Sequence, residues 1–255
     1  MGTRKTTILI AMALMLLPYL GTAQDNDNFQ AYWIHQDPVR PAQIAEYEAA
    51  AKKLSEACKK YNLQGADWNT LATTDFNYIY ISPIANLAEL DKNSFAPLVE
   101  KMGKEAVGQM FNDFDKYYDS HRSYILNLDK KLSYMPDGMT TTPEGKPYRH
   151  NTLYHFVPAN RAKAAEIAQK FKDLYAKKGA KLQYRVYRNG FGTTEDYFLV
   201  AVAAESPEAY EKLRAETNTL LGEEGVQLFG QLRNILTKVE TVEGYMRPDL
   251  SYSSK

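Results

Sequence analysis

A six-residue stretch, Met102-Gly-Lys-Glu-Ala-Val107, returns 119 residues further on as Leu221-Gly-Glu-Glu-Gly-Val226, and its neighbours return with it. Arg40 matches Arg161 and Asp75 matches Asp196 at an offset of 121, Gly103 matches Gly222 at 119, and Ser133 matches Ser251 at 118. So small a drift across a whole unit identifies two copies of one α+β unit. Two domains also suit a 255-residue chain, since single domains usually run to about 100–150 residues.

Within each copy the periodicities alternate between two and about 3.6 residues. In the first, Phe29 to Gln36 alternates as a strand, and Asp37, Pro38 and Pro41 close it and open a helix. Ile44, Tyr47, Ala51, Leu54, Cys58 and Tyr61 then recur on one helical stripe. Asp67–Ala72 and Phe76–Ser82 read as a strand pair, with Pro83 as a stop. A helix follows over Leu87–Met102, then a break at Gly103, a second helical piece over Lys104–Tyr118, and a fourth strand over Ser123–Asp129. The second copy repeats the order: a strand at Thr152–Val157, a helix to Gly179, strands at Leu182–Arg188 and Asp196–Val202, and a helix capped at Ser206-Pro207-Glu208. It ends with a break at Gly222, a third helix over Glu224–Val239 and a last strand over Thr241–Met246. Leu250-Ser-Tyr252 echoes Leu132-Ser-Tyr134. The organisation expected is a signal peptide over 1–23, a first repeat over 24–134, a proline- and threonine-rich linker over 135–149 and a second repeat over 150–255.

Residues 1–23 have the form of a secretory signal: Arg4 and Lys5, an apolar run from Ile8 to Leu17, and small residues before Gln24. The run is short of the roughly 20 residues that span a bilayer. Export to the periplasm or medium is therefore expected, with no stable membrane insertion after cleavage. Removing Arg4 and Lys5 leaves 29 basic against 31 acidic side chains, a net charge of −2, which gives no field to recruit nucleic acid. The single cysteine, Cys58, rules out an intramolecular disulfide, so the core must carry the stability.

The order β-α-β-β-α-α-β, over about residues 29–134 and 150–252, resembles the dimeric α/β barrel superfamily of ferredoxin-like proteins, which includes antibiotic-biosynthesis-type monooxygenases and NIPSNAP-like proteins. The resemblance implies tandem ferredoxin-like repeats forming an intramolecular dimeric α/β barrel, as a monomer with pseudo-two-fold symmetry or a higher oligomer. It also explains how sheets with helices on one face only would cover the other. Members oxidise polycyclic substrates without a cofactor, bind or degrade haem, or lack known activity, so fold alone does not select a function. The haem-degrading branch uses a helical histidine. Neither copy here has one on an inner helical stripe, so no cofactor is assigned.

His155, whose counterpart is Ile34, is the clearest departure from the internal match, and it alternates with Tyr154 and Phe156. If it lined a ligand cavity, exchanging it for isoleucine would cost little stability and weaken binding. Tyr184, Arg185 and Tyr187, with Tyr197 across the hairpin, complete the candidate ligand-binding set, although Arg185 and Tyr187 lie on the face opposite Tyr184. His35 is expected to pack beside Trp33. The histidines at 35, 121, 150 and 155 make no metal-ligand spacing, so no metal is expected. No phosphate loop, nucleophile elbow or paired-carboxylate motif appears, and no catalysis is assignable. The leading expectation is an exported barrel that binds a small, largely apolar ligand between sheet and helices. The alternatives are a cofactor-independent monooxygenase-like enzyme and a structural or interaction protein.

Overall fold

A computed structural model describes residues 28–254; the signal segment expected over 1–23 lies outside them. Eight strands, β1 (Phe29–Pro38), β2 (Asn69–Thr73), β3 (Asn77–Ile84), β4 (Arg122–Tyr134), β5 (Tyr148–Phe156), β6 (Tyr184–Asn189), β7 (Tyr197–Ala204) and β8 (Leu236–Met246), form one closed antiparallel barrel in the order β1-β3-β2-β8-β5-β7-β6-β4. Helices α1 (Ile44–Tyr61), α2 (Ala96–Met102), α3 (Lys104–Phe114), α4 (Arg161–Lys178) and α5 (Pro207–Arg233) lie on its outside. The first half contributes β4-β1-β3-β2 and the second β8-β5-β7-β6, the same topology twice. The halves are sewn together at two seams, β2 to β8 and β4 to β6. The sheets thus join by their edges, and their helix-free faces become one barrel wall.

Helix packing divides the core accordingly. Tyr47, Cys58 and Leu98 are fully buried under the first half's helices, whereas Phe156, Ile167, Leu174 and Val202 are buried on the second half's helix side. A third cluster, Ile34, Leu126 and Tyr197 with Leu153 and Leu199, mixes both halves and therefore sits in the barrel lumen.

The Leu-Ser-Tyr echo is an exchange. Leu132 and Tyr134 leave the first half and pack in the second half's core, where the Tyr134 hydroxyl donates to the Ala180 carbonyl at 3.0 Å. Leu250 and Tyr252 leave the second half and pack in the first, where the Tyr252 hydroxyl donates to Leu63 O at 2.8 Å. The serines match too: Ser133 Oγ accepts from Val186 N and Ser251 Oγ from Thr70 N, both at 2.9 Å.

Several boundaries differ from those read in the sequence. Leu87–Asp91 is a short 3₁₀ turn and α2 begins only at Ala96, because Asn86 caps the turn by accepting from Ala88 N and Pro97 suits a helix start. The expected third helix of the second copy stops at Arg233, and Leu236–Val239 is strand, since it pairs with Phe156, His155 and Tyr154 across β5. β3 runs through Pro83 because β2 no longer pairs beyond Ile81, so the imide nitrogen removes no ladder bond there. The linker ends in strand: Tyr148 and Arg149 already belong to β5. The break expected at Gly222 is a kink inside α5, with φ 56° and ψ −145°, a conformation that glycine adopts without a Cβ penalty.

Candidate functional site

The outer face of the second half's sheet does not meet its helices everywhere. Between β5, β6 and β7 below and α4 and α5 above lies a cavity of about 760 Å³, within the range that takes a drug-sized molecule. Strand alternation builds its floor, because every second residue of β5 (His150, Thr152, Tyr154, Phe156) and of β6 (Tyr184, Val186) faces the helices. Phe171 and Tyr175 of α4 and Tyr210, Leu221 and Phe229 of α5 form the roof, and the kink residue Gly222 is part of the wall. In the first half the same side of the sheet is packed with Tyr47, Trp68, Leu98 and Phe114, all buried. The cavity makes the second half the candidate site.

Two features give this apolar cleft chemical character. The Tyr184 hydroxyl is buried in the wall with no hydrogen-bond partner among the described residues, and its ring meets Tyr175 edge-on at 5.1 Å. Burial, then the neighbouring phenols, push the Tyr184 pKa upward, and burial does the same for Tyr175, so both stay neutral donors. An orphaned buried hydroxyl is costly unless something accepts from it.

The second feature is His150. Its ring stacks on Tyr210 at 4.1 Å, and its Nδ1 lies 2.8 Å from Glu243 Oε1. The Tyr148 hydroxyl donates to the same carboxylate oxygen at 2.7 Å, which holds the Glu243 carboxyl below its usual range, with His150 adding to the effect against desolvation. A carboxylate can only accept, so Nδ1 is the donor, and in the neutral ring Nε2 then holds the lone pair. That is a carboxylate-oriented imidazole in the wall of a cavity, the arrangement of a general base.

Of the five residues singled out in the sequence, Tyr184 lines this cavity. Arg185, Tyr187, His155 and Tyr197 face the lumen, on the opposite side of the same strands. His155 lies with Nε2 2.7 Å from Glu240 and Nδ1 2.9 Å from Glu195, against the ring of Tyr197 at 5.2 Å. Tyr175 and Tyr210 were missed because helical aromatics look like ordinary core. His150 shares the parity of Tyr154 and Phe156, a legible signal, whereas Glu243 is brought to it only by the β5–β8 register.

Two groups of side chains, His155 with Glu195 and Glu240, and His35 with Asp37 and His121, place ligand atoms within 4.8 Å of one another, a gathering that sequence spacing does not reveal. In each the histidine has its two ring nitrogens close to different partners. For His35 these are Asp37 Oδ1 at 3.0 Å and Ser123 Oγ at 2.9 Å. The contacts of His155 Nδ1 with Glu195 and of His35 Nε2 with Asp37 are close approaches and not hydrogen bonds, which leaves His155 Nδ1 and Asp37 Oδ1 without hydrogen-bond partners.

Neither a protein-family model nor a curated protein matches the sequence. Solved structures do match its fold. An anthrone oxidase-like protein superposes with a TM-score of 0.59 at 12% identity, over 88% of this chain and 93% of that one. A putative monooxygenase from Lactobacillus acidophilus NCFM gives 0.53 at 10% identity over 88% and 96%, and one from Fusobacterium nucleatum gives 0.53 at 12% over 86% and 93%. At such identities the likeness is one of architecture, and the chain is a dimeric α/β barrel of two ferredoxin-like halves closed within a single polypeptide.

Proposed function

We propose that the protein is exported and binds a small, largely apolar ligand in the cleft between the sheet and helices of its second half. The observation that carries this reading is the 760 Å³ cavity itself, with aromatic walls and one unpartnered hydroxyl. A molecule with a flat apolar body would fill the space between Phe171, Phe198 and Tyr210, and a carbonyl or ether oxygen on it would accept from Tyr184. An apolar-walled cavity of this size with a few convergent polar groups costs stability if left empty, which disfavours the purely structural reading.

Native mass spectrometry of protein purified from its own host tests the reading: a bound organic mass that dissociates on denaturation is the expected result. Protein that is bare from its host and stays bare with a panel of polycyclic aromatics would overturn it. The intact mass of the extracytoplasmic form tests the export claim, with a start at Gln24 expected.

A second reading, cofactor-independent oxygenation, is favoured by the His150–Glu243 pair. In it Nε2 of His150 removes a proton from a phenol or activated methylene in the cavity, leaving an electron-rich anion able to react with O₂. Oxygen uptake with polycyclic phenols, abolished by His150→Gln while ligand binding survives, would select this reading over simple carriage.

A further inference from the structure

The lumen holds a second arrangement, unrelated to the outer cleft. Arg149 and Arg185 are 4% and 3% exposed, and both lie on the inward parity of their strands, Arg149 in β5 and Arg185 in β6.

Among the described residues neither guanidinium has a carboxylate. Arg149 donates to the carbonyls of Lys146, Tyr148 and Thr141, and Arg185 Nη1 to the Thr140 carbonyl at 3.0 Å. Arg185 Nε is buried without any acceptor, and so is the amide oxygen of the neighbouring inward residue Asn151 without any donor. Buried charges are ordinarily paired, and two like charges in one enclosure are costlier still. Burial and the charge of Arg185 bring the Arg149 pKa down to about 10, which reports the same uncompensated field. Around them stand neutral groups: the phenol rings of Tyr32 and Tyr187 meet edge-on at 6.1 Å, and Arg185 acts electrostatically on both.

There is also room. Tyr32, Leu153, Tyr187 and Leu199 point toward the barrel axis and yet remain only half-buried, so solvent reaches part of the lumen. An eight-stranded barrel is of a size that side chains can fill or that can hold one small ligand.

We propose that the lumen is a binding site for a small carboxylate. Its oxygens take the open Nε edge of Arg185 and the phenol of Tyr187, and its apolar body lies along Ile34, Leu126, Leu153 and Leu199. The linker segment at Thr140–Thr141, pinned by both arginines, covers that end of the barrel. Planar two-oxygen recognition by one edge of a guanidinium is the reason for choosing a carboxylate over a spherical anion.

The test is calorimetric titration of the full chain with sodium benzoate and with its neutral isostere benzamide, together with the ¹⁵N resonance of Arg185 Nε. Saturable benzoate binding that shifts the Nε–H signal is expected, with benzamide weaker by at least about tenfold, as loss of a charge-assisted bidentate pair requires. Arg185→Lys, which keeps the charge and removes the edge, is expected to cost a similar factor. Phe171→Trp, which narrows the outer cleft, is expected to leave benzoate binding unchanged, so this site and the outer one fail separately. Absence of saturable benzoate binding, equal binding of benzamide, an unmoved Nε signal, or loss on Phe171→Trp in place of Arg185→Lys would each overturn the proposal. If Arg185→Lys does not fold, the wild-type isostere comparison and Nε shift decide alone.

Discussion

At the scale of single residues, one strand separates two kinds of site. Tyr184 and Arg185 are adjacent in β6, but one faces the helices and the other the lumen. Tyr184→Phe removes a buried hydroxyl that has no protein partner, so we expect the empty protein to keep or slightly gain stability. Affinity for the cleft ligand should fall by roughly 0.5 to 1.5 kcal/mol, the worth of one neutral hydrogen bond. Paired thermal melts and titrations check this, and a clear loss of stability would show that the hydroxyl serves the fold. His155→Ile should behave oppositely. Its imidazole lies away from the cleft and between two carboxylates, so cleft binding should not change while unfolding free energy drops by about 1 kcal/mol. Urea denaturation with ligand titration would detect the reverse pattern, which would return His155 to the ligand site. The sequence singled out His155 because it departs from Ile34, and that departure is real. Its meaning was hidden because parity tells which residues share a face but not which face is covered by helices.

Elements explain what was legible and what was not. α1, α4 and the Ser206 cap of α5 follow from stripe and cap chemistry, and Ser206 Oγ accepts from Ala209 N at 3.1 Å as expected. β8 was read five residues short, since Leu236-Thr-Lys-Val-Glu has too few apolar positions to announce a strand. It becomes one because β5 offers a partner 80 or so positions away. The segment just after β8 carries an electrostatic junction. Arg247 is held by Glu48 of α1 and by Asp249 at 2.7 Å, and the Tyr78 hydroxyl donates to Glu48 at 2.5 Å. The Arg247 hydrogen bonds hold both carboxyls below their ordinary range. Their folded pKa values are depressed, so their contribution is complete above the unfolded value of about 4 and fades as pH falls through the lowered ones. We therefore expect Glu48→Gln to melt below the wild type at pH 7 and to approach it near pH 3. A gap that persists at pH 3 would place the effect elsewhere.

For the whole molecule, neither half owns a complete sheet boundary. β2 needs β8, β4 needs β6, and each core takes its Leu and Tyr from the other half. Residues 24–140 expressed alone should consequently show no cooperative monomeric unfolding transition, since an unpaired sheet edge and a bare sheet face are left in water. A sharp monomeric transition in that fragment would mean that each half closes its own core. Closure into one barrel came through the family resemblance and is what the structure has, but the particular pairings that close it, β2 with β8 and β4 with β6, could not be read, because they join residues with no local relation.

The exchanged Leu-Ser-Tyr segments set the order of assembly. The first half's core waits for residues 250 to 252, which follow the whole second half in the chain, so it cannot close until that half has been made. Injury is displaced in the same way. Leu250→Ala should cost about 2 to 5 kcal/mol, and hydrogen exchange should register the loss first around Tyr47 and Trp68, at the far end of the sequence from the change.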